Sequence, residues 1–440
     1  MKLKSLLMCV ATLLVWHFSA GAQSLVDDQI SAKVESNKIV WIDGKPVSAS
    51  ERQADIDSIR QLVGSFYYDQ FKHFRDPDAP YFLFMSKEAG FTLGLGGAVR
   101  MRAYYDWGGA MPNTMFAPMQ IPIPANPTNM RHFGTTPSGT YVFLRALGHN
   151  KAIGDYQLYI EADFTGYQGL DFRLKKAYAT VGDWTLGYAT STFSDPGAQA
   201  PVLDAAGANN KFSATAVLVR YMHSWQNKWF VAGSVETPST AIDATNPQTR
   251  PASSWLPDAS AFVQYQWEKG QHIRLSGVVR TLSYRDVAAG KNHNVAGYGL
   301  QLSGVAHPER HLTTYLTANY GRGYGSLGGD LLLGTYDLIA KPGADGTLYA
   351  PRSLGWCLGV QYNFRPELFA SVSVSQTRLL PDYAVSSNEY KYGIFACANI
   401  FWSITPRFTV ATEFDWGTRH NFSGAHRHAQ RANLSAMFTF

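Results

Sequence analysis

Between Arg431 and Phe440 the chain alternates with a period of two. Phe440, Phe438, Ala436, Leu434 and Ala432 are apolar; Thr439, Ser435, Asn433 and Arg431 between them are polar, with Met437 the exception. Such a strand has one greasy face and one polar face. A soluble β-sandwich could bury the greasy face, but an open aromatic edge invites aggregation. A closed membrane barrel covers one face with lipid and the other with water, and it leaves no edge.

The same alternation runs from Gly90 onward and divides into sixteen expected strands. They start near Phe91, Gly139, Gly154, Leu170, Trp184, Ser213, Lys228, Asp258, Gln271, Asn292, Arg310, Ser353, Pro366, Glu389, Pro406 and Arg427. The pattern also admits fourteen or eighteen strands, because boundaries read from alternation shift by several residues. Connections after even strands are mostly short, as at Gly182-Asp183 and Glu268-Lys269-Gly270. Several after odd strands are long and rich in Gly, Pro and Asn: Gly108 to Ser138, Ser191 to Phe212, Pro238 to Pro257 and Gly321 to Arg352. Short turns on one rim and long loops on the other mark an all-β, antiparallel transmembrane β-barrel, with the short turns periplasmic.

Ahead of the barrel, Lys2 and Lys4, the apolar run Leu6 to Val15 and Ala20-Gly21-Ala22 read as a signal peptide over residues 1–22. Past it, no stretch approaches the roughly 20 apolar residues of a membrane-spanning helix. Residues 23–89 read as a short N-terminal helical extension and linker in the periplasm, and residues 90–440 as the barrel. Ser48-Ala49-Ser50-Glu51 has the form of a capping box. Ile56, Ile59, Val63 and Phe66 follow as a narrow apolar seam, suited either to trimerisation or to packing on the barrel.

Composition sharpens this picture. With 39 Gly, 24 Tyr, 25 Phe and 11 Trp but 16% charged residues, the chain suits lipid-facing strands with aromatic girdles. A net charge of +5 is too mild to indicate nucleic acid. Cys357 and Cys397 fall on the twelfth and fourteenth strands, about 10 Å apart, beyond disulfide reach.

Strand parity assigns the lumen. Lipid facing for Val99, Met101 and Ala103 turns Arg100 and Arg102 inward. The same reasoning turns Arg173, Lys175, Arg220, Arg274, Arg280 and Arg431 inward, and leaves Arg145 ambiguous because both parities around it are apolar. Glu161, Asp163, Glu413 and Asp415 are the inward carboxylates. Guanidinium groups beside water bind carboxylate and phosphate transiently, so the larger basic set implies an anion preference. Wall arginines that merely neutralise wall carboxylates are the bland alternative. A barrel of sixteen strands leaves an aqueous lumen. The loop holding Ser194, Asp195, Asp204, Asn209, Asn210 and Lys211 is the candidate to fold inward and constrict it, with an ordinary surface loop as the alternative.

Short motifs carry a family resemblance: Tyr105-Asp106-Trp107-Gly108-Gly109, Ile121-Pro122-Ile123-Pro124, Lys175-Lys176-Ala177-Tyr178-Ala179, Gly187-Tyr188, and Ser191-Thr192-Phe193-Ser194-Asp195-Pro196. With the N-terminal helix, the chain resembles DcaP-like trimeric porins of Gram-negative outer membranes and, more distantly, phosphate-selective porins. The resemblance implies a sixteen-stranded homotrimer in contact with outer-membrane lipid and lipopolysaccharide. It also implies an inward-folded loop at Asp195 and passive diffusion of small hydrophilic solutes, favouring organic anions such as dicarboxylates.

Catalysis lacks a site in the sequence. No Gly-x-Ser-x-Gly turn or His-Glu-x-x-His helix occurs. His420, His426 and His428 cluster near the last outer loop, but no Cys or carboxylate stands beside them in the motif. The reading is a non-enzymatic channel with no cofactor or metal. A structural or adhesive barrel, or a membrane-embedded hydrolase, is the alternative.

Overall fold

The computed structural model describes residues 38–42, 48, 50, 53, 57, 81–86 and 91–440, the last stretch without 110, 112, 165–171 and 244–245. Sixteen antiparallel strands close into one barrel. They are β1 (Phe91–Trp107), β2 (Tyr141–Asn150), β3 (Gly154–Asp163), β4 (Arg173–Val181), β5 (Trp184–Thr190), β6 (Thr215–Trp225), β7 (Trp229–Glu236) and β8 (Asp258–Glu268). The second half comprises β9 (Gln271–Asp286), β10 (Lys291–Glu309), β11 (Leu312–Arg322), β12 (Arg352–Arg365), β13 (Leu368–Leu380), β14 (Tyr390–Thr405), β15 (Phe408–Asn421) and β16 (His426–Thr439). Starts read from alternation lie at most three residues away, the largest offset being Leu170 against Arg173.

Each strand pairs with its sequence neighbour, and β16 shuts the barrel on β1, from Gln430 opposite Trp107 to Thr439 opposite Ala98. Phe440 completes the seam: its N–H donates to Gly97 O at 2.9 Å, and Gly97 N–H donates back at 2.8 Å. A Cβ on Gly97 would collide with the Tyr141 carbonyl and lie 2.9 Å from Phe440 Cζ, so the aromatic end packs where only glycine leaves room. Below this point Phe82–Ser86 pairs antiparallel with Phe91–Leu95, and Lys38–Trp41 pairs parallel with Phe82–Ser86. Part of the stretch expected to be extension and linker is therefore strand. Ser50, Gln53 and Asp57 are helical, with Gln53 Nε2 donating to Asp57 Oδ1 at 2.9 Å. The seam Ile56, Ile59, Val63 and Phe66 lies outside the described residues.

The pleat sorts the side chains as lipid and water require. Val99, Met101, Leu144, Ile160, Val219, Leu275, Val279, Val372 and Leu434 point outward and are exposed. Met437 stands opposite Arg100 on the inner face, so the one break in the terminal alternation is a lumen residue. The turn between β6 and β7 is tight, with Gln226 and Asn227 at φ 53 and 54, the left-handed pair of a type I′ hairpin. Long connections gather at the opposite rim. One adds Arg131–Thr136, which pairs with the upper half of β1 where β2 does not reach.

Candidate functional site

The connection between β5 and β6 begins and ends at one point, where Ser191 N–H donates to Ala214 O at 2.9 Å. From there it runs inside the barrel. Asp195 Oδ2 accepts from Ser303 Oγ at 2.6 Å and pairs with His272 Nε2 at 2.8 Å, while Arg274 Nη1 donates to Ser194 O at 3.0 Å. Burial by itself would raise the Asp195 carboxyl. The Arg274 charge, then His272 and Ser303, overcome that and hold it below the ordinary carboxylate range.

Small side chains let the connection hug the wall. Ala198 and Ala200 pack on Val305 and Tyr315, and a Cβ on Gly359 would come within 2.5 Å of Ala200 Cβ. Pro201 O accepts from Ser371 Oγ at 2.8 Å and Asn399 Nδ2 at 2.9 Å, carrying the chain past β13 and β14. At the far end Leu203 and Asp204 N–H groups donate to the two Glu413 oxygens at 2.7 Å each. Asp204 Oδ2 then pairs with Arg102 Nη1 at 2.6 Å and Arg431 Nη1 at 3.0 Å. Its Oδ1 accepts from Phe116 N at 2.9 Å and Ala206 N at 3.0 Å, which ties in the connection after β1.

The return leg is pinned by amides. Asn209 exchanges bonds with Ser375 and donates to Gly393 O at 2.9 Å, and Asn210 Nδ2 donates to Thr317 Oγ1 at 2.9 Å. Phe212 stacks on Tyr324 at 5.3 Å and meets Phe193 edge-on at 5.5 Å, closing the loop on its own start. Lys211 is partly exposed.

The basic residues read from parity fall into three groups. Arg102, Arg274, Arg280 and Arg431 are at most 1% exposed and hold connections in place. Arg431 grips Asp106 through two bonds of 2.6 and 2.9 Å and lies over the Tyr104 ring at 4.3 Å. Arg280 joins Asp258 at 2.9 Å and Asp337 at 3.3 Å, and donates to Ser239 O, so it fastens the connections after β7 and β11. Arg173 is exposed and Lys175 half-buried, and they pair with Asp163 at 3.1 Å and Glu161 at 2.6 Å. Arg100 donates to Leu203 O at 2.5 Å and Ser435 Oγ at 3.2 Å, and Arg220 to Thr190 O at 3.1 Å. Asp415 Oδ2 accepts from Asn433 Nδ2 at 2.7 Å.

Arg145, ambiguous by parity, stands opposite Tyr159 on the inner face. Its guanidinium lies 5.1 Å over that ring and 6.0 Å over Phe143, with no carboxylate partner among the described residues. Asp106, His272, Asn399 and Asp337 also belong to the constellation, though strand parity placed none of them among the inward charges. Asp106 shares the parity of Arg100 and Arg102 and was legible; the others acquire meaning only from what folds onto them. Cys397, Glu413 and Asp415 bring a thiol and two carboxylates within 4.8 Å, but the loop N–H groups and Asn399 already occupy both Glu413 oxygens. Cys357 and Cys397 are both free and buried.

No family model matches this chain, and no curated relative matches it. Solved structures do. The outer membrane channel DcaP of Acinetobacter baumannii aligns with a TM-score of 0.68 at 19% identity, over 81% of this chain and 99% of that one. An anion-selective porin from Comamonas acidovorans aligns at 0.53 and 9% identity, over 80% and 100%. The trimer form of OmpT, an outer membrane protein of Vibrio cholerae, aligns at 0.51 and 9%, over 80% and 100%. At such identities the likeness is one of fold.

Proposed function

We propose that this chain is an outer-membrane porin of a Gram-negative bacterium, exported through residues 1–22 and assembled as a homotrimer, with its N-terminal extension in the periplasm. It forms a water-filled channel for passive diffusion of small hydrophilic solutes and favours organic anions such as dicarboxylates. The observation that carries the channel reading is the β5–β6 connection folded inside a sixteen-stranded barrel and bonded to its wall. A barrel of that size has a lumen to narrow, and an inward loop is a means of narrowing it. Arg145 supports the anion preference: its guanidinium, 5% exposed, rests on two ring faces with no carboxylate partner among the described residues, so its positive charge adds to the field on the inner wall. Arg100, bonded to a carbonyl and a hydroxyl, adds to that field.

Planar-bilayer recording tests both levels. The expected result is stepwise conductance with an anion-selective reversal potential across a salt gradient. Absence of steps would sink the channel reading and favour a structural or adhesive barrel. A cation-selective potential would sink the anion preference and leave the channel standing.

A further inference from the structure

Beneath the inward connection, three side chains of metal-ligand type meet on the wall, brought together by strand register rather than by spacing. Cys397 on β14 stands opposite Asp415 on β15, and Glu413 precedes Asp415 by two residues on the same face. Cys397 Sγ and one carboxylate oxygen from each acid lie within 4.8 Å of one another. All three residues are buried, Asp415 at 0% exposure. Its Oδ2 accepts from Asn433, but Oδ1 has no hydrogen-bond partner among the described residues. Burying a bare carboxylate oxygen is costly. Glu413 is not saturated either. Its oxygens accept from Leu203 N, Asp204 N and Asn399 Nδ2, which leaves one of a carboxylate's roughly four lone-pair sites open, on Oε1.

Charge around the cluster is out of balance as well. Arg100, Arg102 and Arg431 face Asp106, Asp204, Glu413 and Asp415, so one carboxylate is left over. Arg431 stands opposite Asp415 in register but commits its guanidinium to Asp106 and Asp204. A divalent cation that displaces the Cys397 thiol proton to solvent restores neutrality, because two positive charges enter and one leaves.

We propose that Cys397, Glu413 and Asp415 form a structural zinc site in the barrel wall. One thiolate with two carboxylates suits Zn2+, whereas Ca2+ and Mg2+ take sets of oxygen ligands. Ligands on one zinc stand roughly 3.5 Å apart, so the side chains need to close in by only about an ångström. Ser373 Oγ, 3.2 Å from Cys397 Sγ, is placed to donate to the thiolate. Met111, Phe116 and Ile121 roof the sulfur with apolar groups. Glu413 holds the metal and the Leu203 and Asp204 N–H groups at once, so the ion braces the docked connection. The inference does not depend on which solute the barrel passes.

Cd2+ is the probe, because its ultraviolet thiolate charge-transfer band reports sulfur ligation and is silent to His420, His426 and His428 at the rim. Protein refolded in detergent with Cd2+ should show the band, saturating at about one ion per chain. Zn2+ should displace it and excess Ca2+ should not. C357S should keep the band and C397S should lack it. D415N should bind at least about 100-fold more weakly, beyond what losing a mere supporting contact costs. Heat-modifiable migration confirms that each variant is folded, and Glu413 is left intact because it also holds the connection. Absence of the band from wild type would overturn the proposal and leave a proton shared between Glu413 and Asp415. So would a band retained in C397S or lost in C357S, equal affinity in D415N, or displacement by Ca2+ in place of Zn2+.

Discussion

Asp204→Ala isolates what holds the inward connection. The carboxylate accepts from Arg102, Arg431, Phe116 N and Ala206 N, all within 3.0 Å. Its removal does not strip both arginines equally. Arg431 keeps its two-pronged grip on Asp106, at 2.6 and 2.9 Å. Arg102, 1% exposed, keeps the Thr114 carbonyl and loses its carboxylate. Breaking a buried pair by deleting one partner costs about 3–5 kcal/mol, and here the loss falls mainly on one cation, so about 3 kcal/mol is expected. That shifts the balance between docked and released loop by about 10²-fold. Single-channel recording should show new, larger or flickering conductance levels, and protease should cut between residues 200 and 210 in the variant but not in wild type. Asp204→Asn, which retains acceptors for Phe116 and Ala206 N–H, should fall between the two. Unchanged conductance together with unchanged protease resistance in Asp204→Ala would refute the clasp.

Other consequences are open to test. Gly359→Leu places a side chain where Ala200 now sits at 2.5 Å from a notional Cβ, so it should dislodge the same loop without removing a charge; wild-type conductance would contradict this. Cys397 is 3% exposed beneath Met111, Phe116 and Ile121, so a maleimide should label it in Asp204→Ala far faster than in wild type; equal rates would separate the two loops. Arg145→Gln should reduce anion selectivity severalfold with melting temperature little changed, and an unchanged reversal potential would remove Arg145 from the path. Asp330, in the connection after β11, has its carboxyl pushed by burial from 3.8 up to about 7 while it accepts from Tyr390 Oη at 2.8 Å. The folded state therefore holds a proton that the unfolded chain releases, so resistance to unfolding should decline as pH rises from about 4 to about 7 and level off above. Asp330→Asn should flatten that slope, and a slope identical to wild type would assign it elsewhere.

Strand positions were legible because lipid and water enforce a two-residue period on every barrel strand. Parity alone placed Arg100, Arg102 and Arg431 on one wall, and the register agrees by setting Arg102 opposite Ser435 and Arg431 opposite Asp106. Parity failed at Arg145, where aromatic and apolar residues line both faces. It was also silent on partnership, since Arg102 and Asp204 are 102 residues apart and Glu413 and Leu203 are 210 apart. The inward glycines Gly359, Gly393 and Gly417 are the sequence signal of close backbone approach.

By itself, then, the sequence determined the class of structure, the order and facing of its strands and the rim that bears the long connections. All of these follow from local alternation against two solvents. Only the tertiary structure decided the role of the buried cations. A guanidinium turned from lipid can meet water, a carboxylate on the wall, or a loop folded down from above, and these outcomes share one local pattern. Desolvation selects among them, because a buried charge left unpaired is costly, and the partners of Arg102 and Arg431 come from distant parts of the chain.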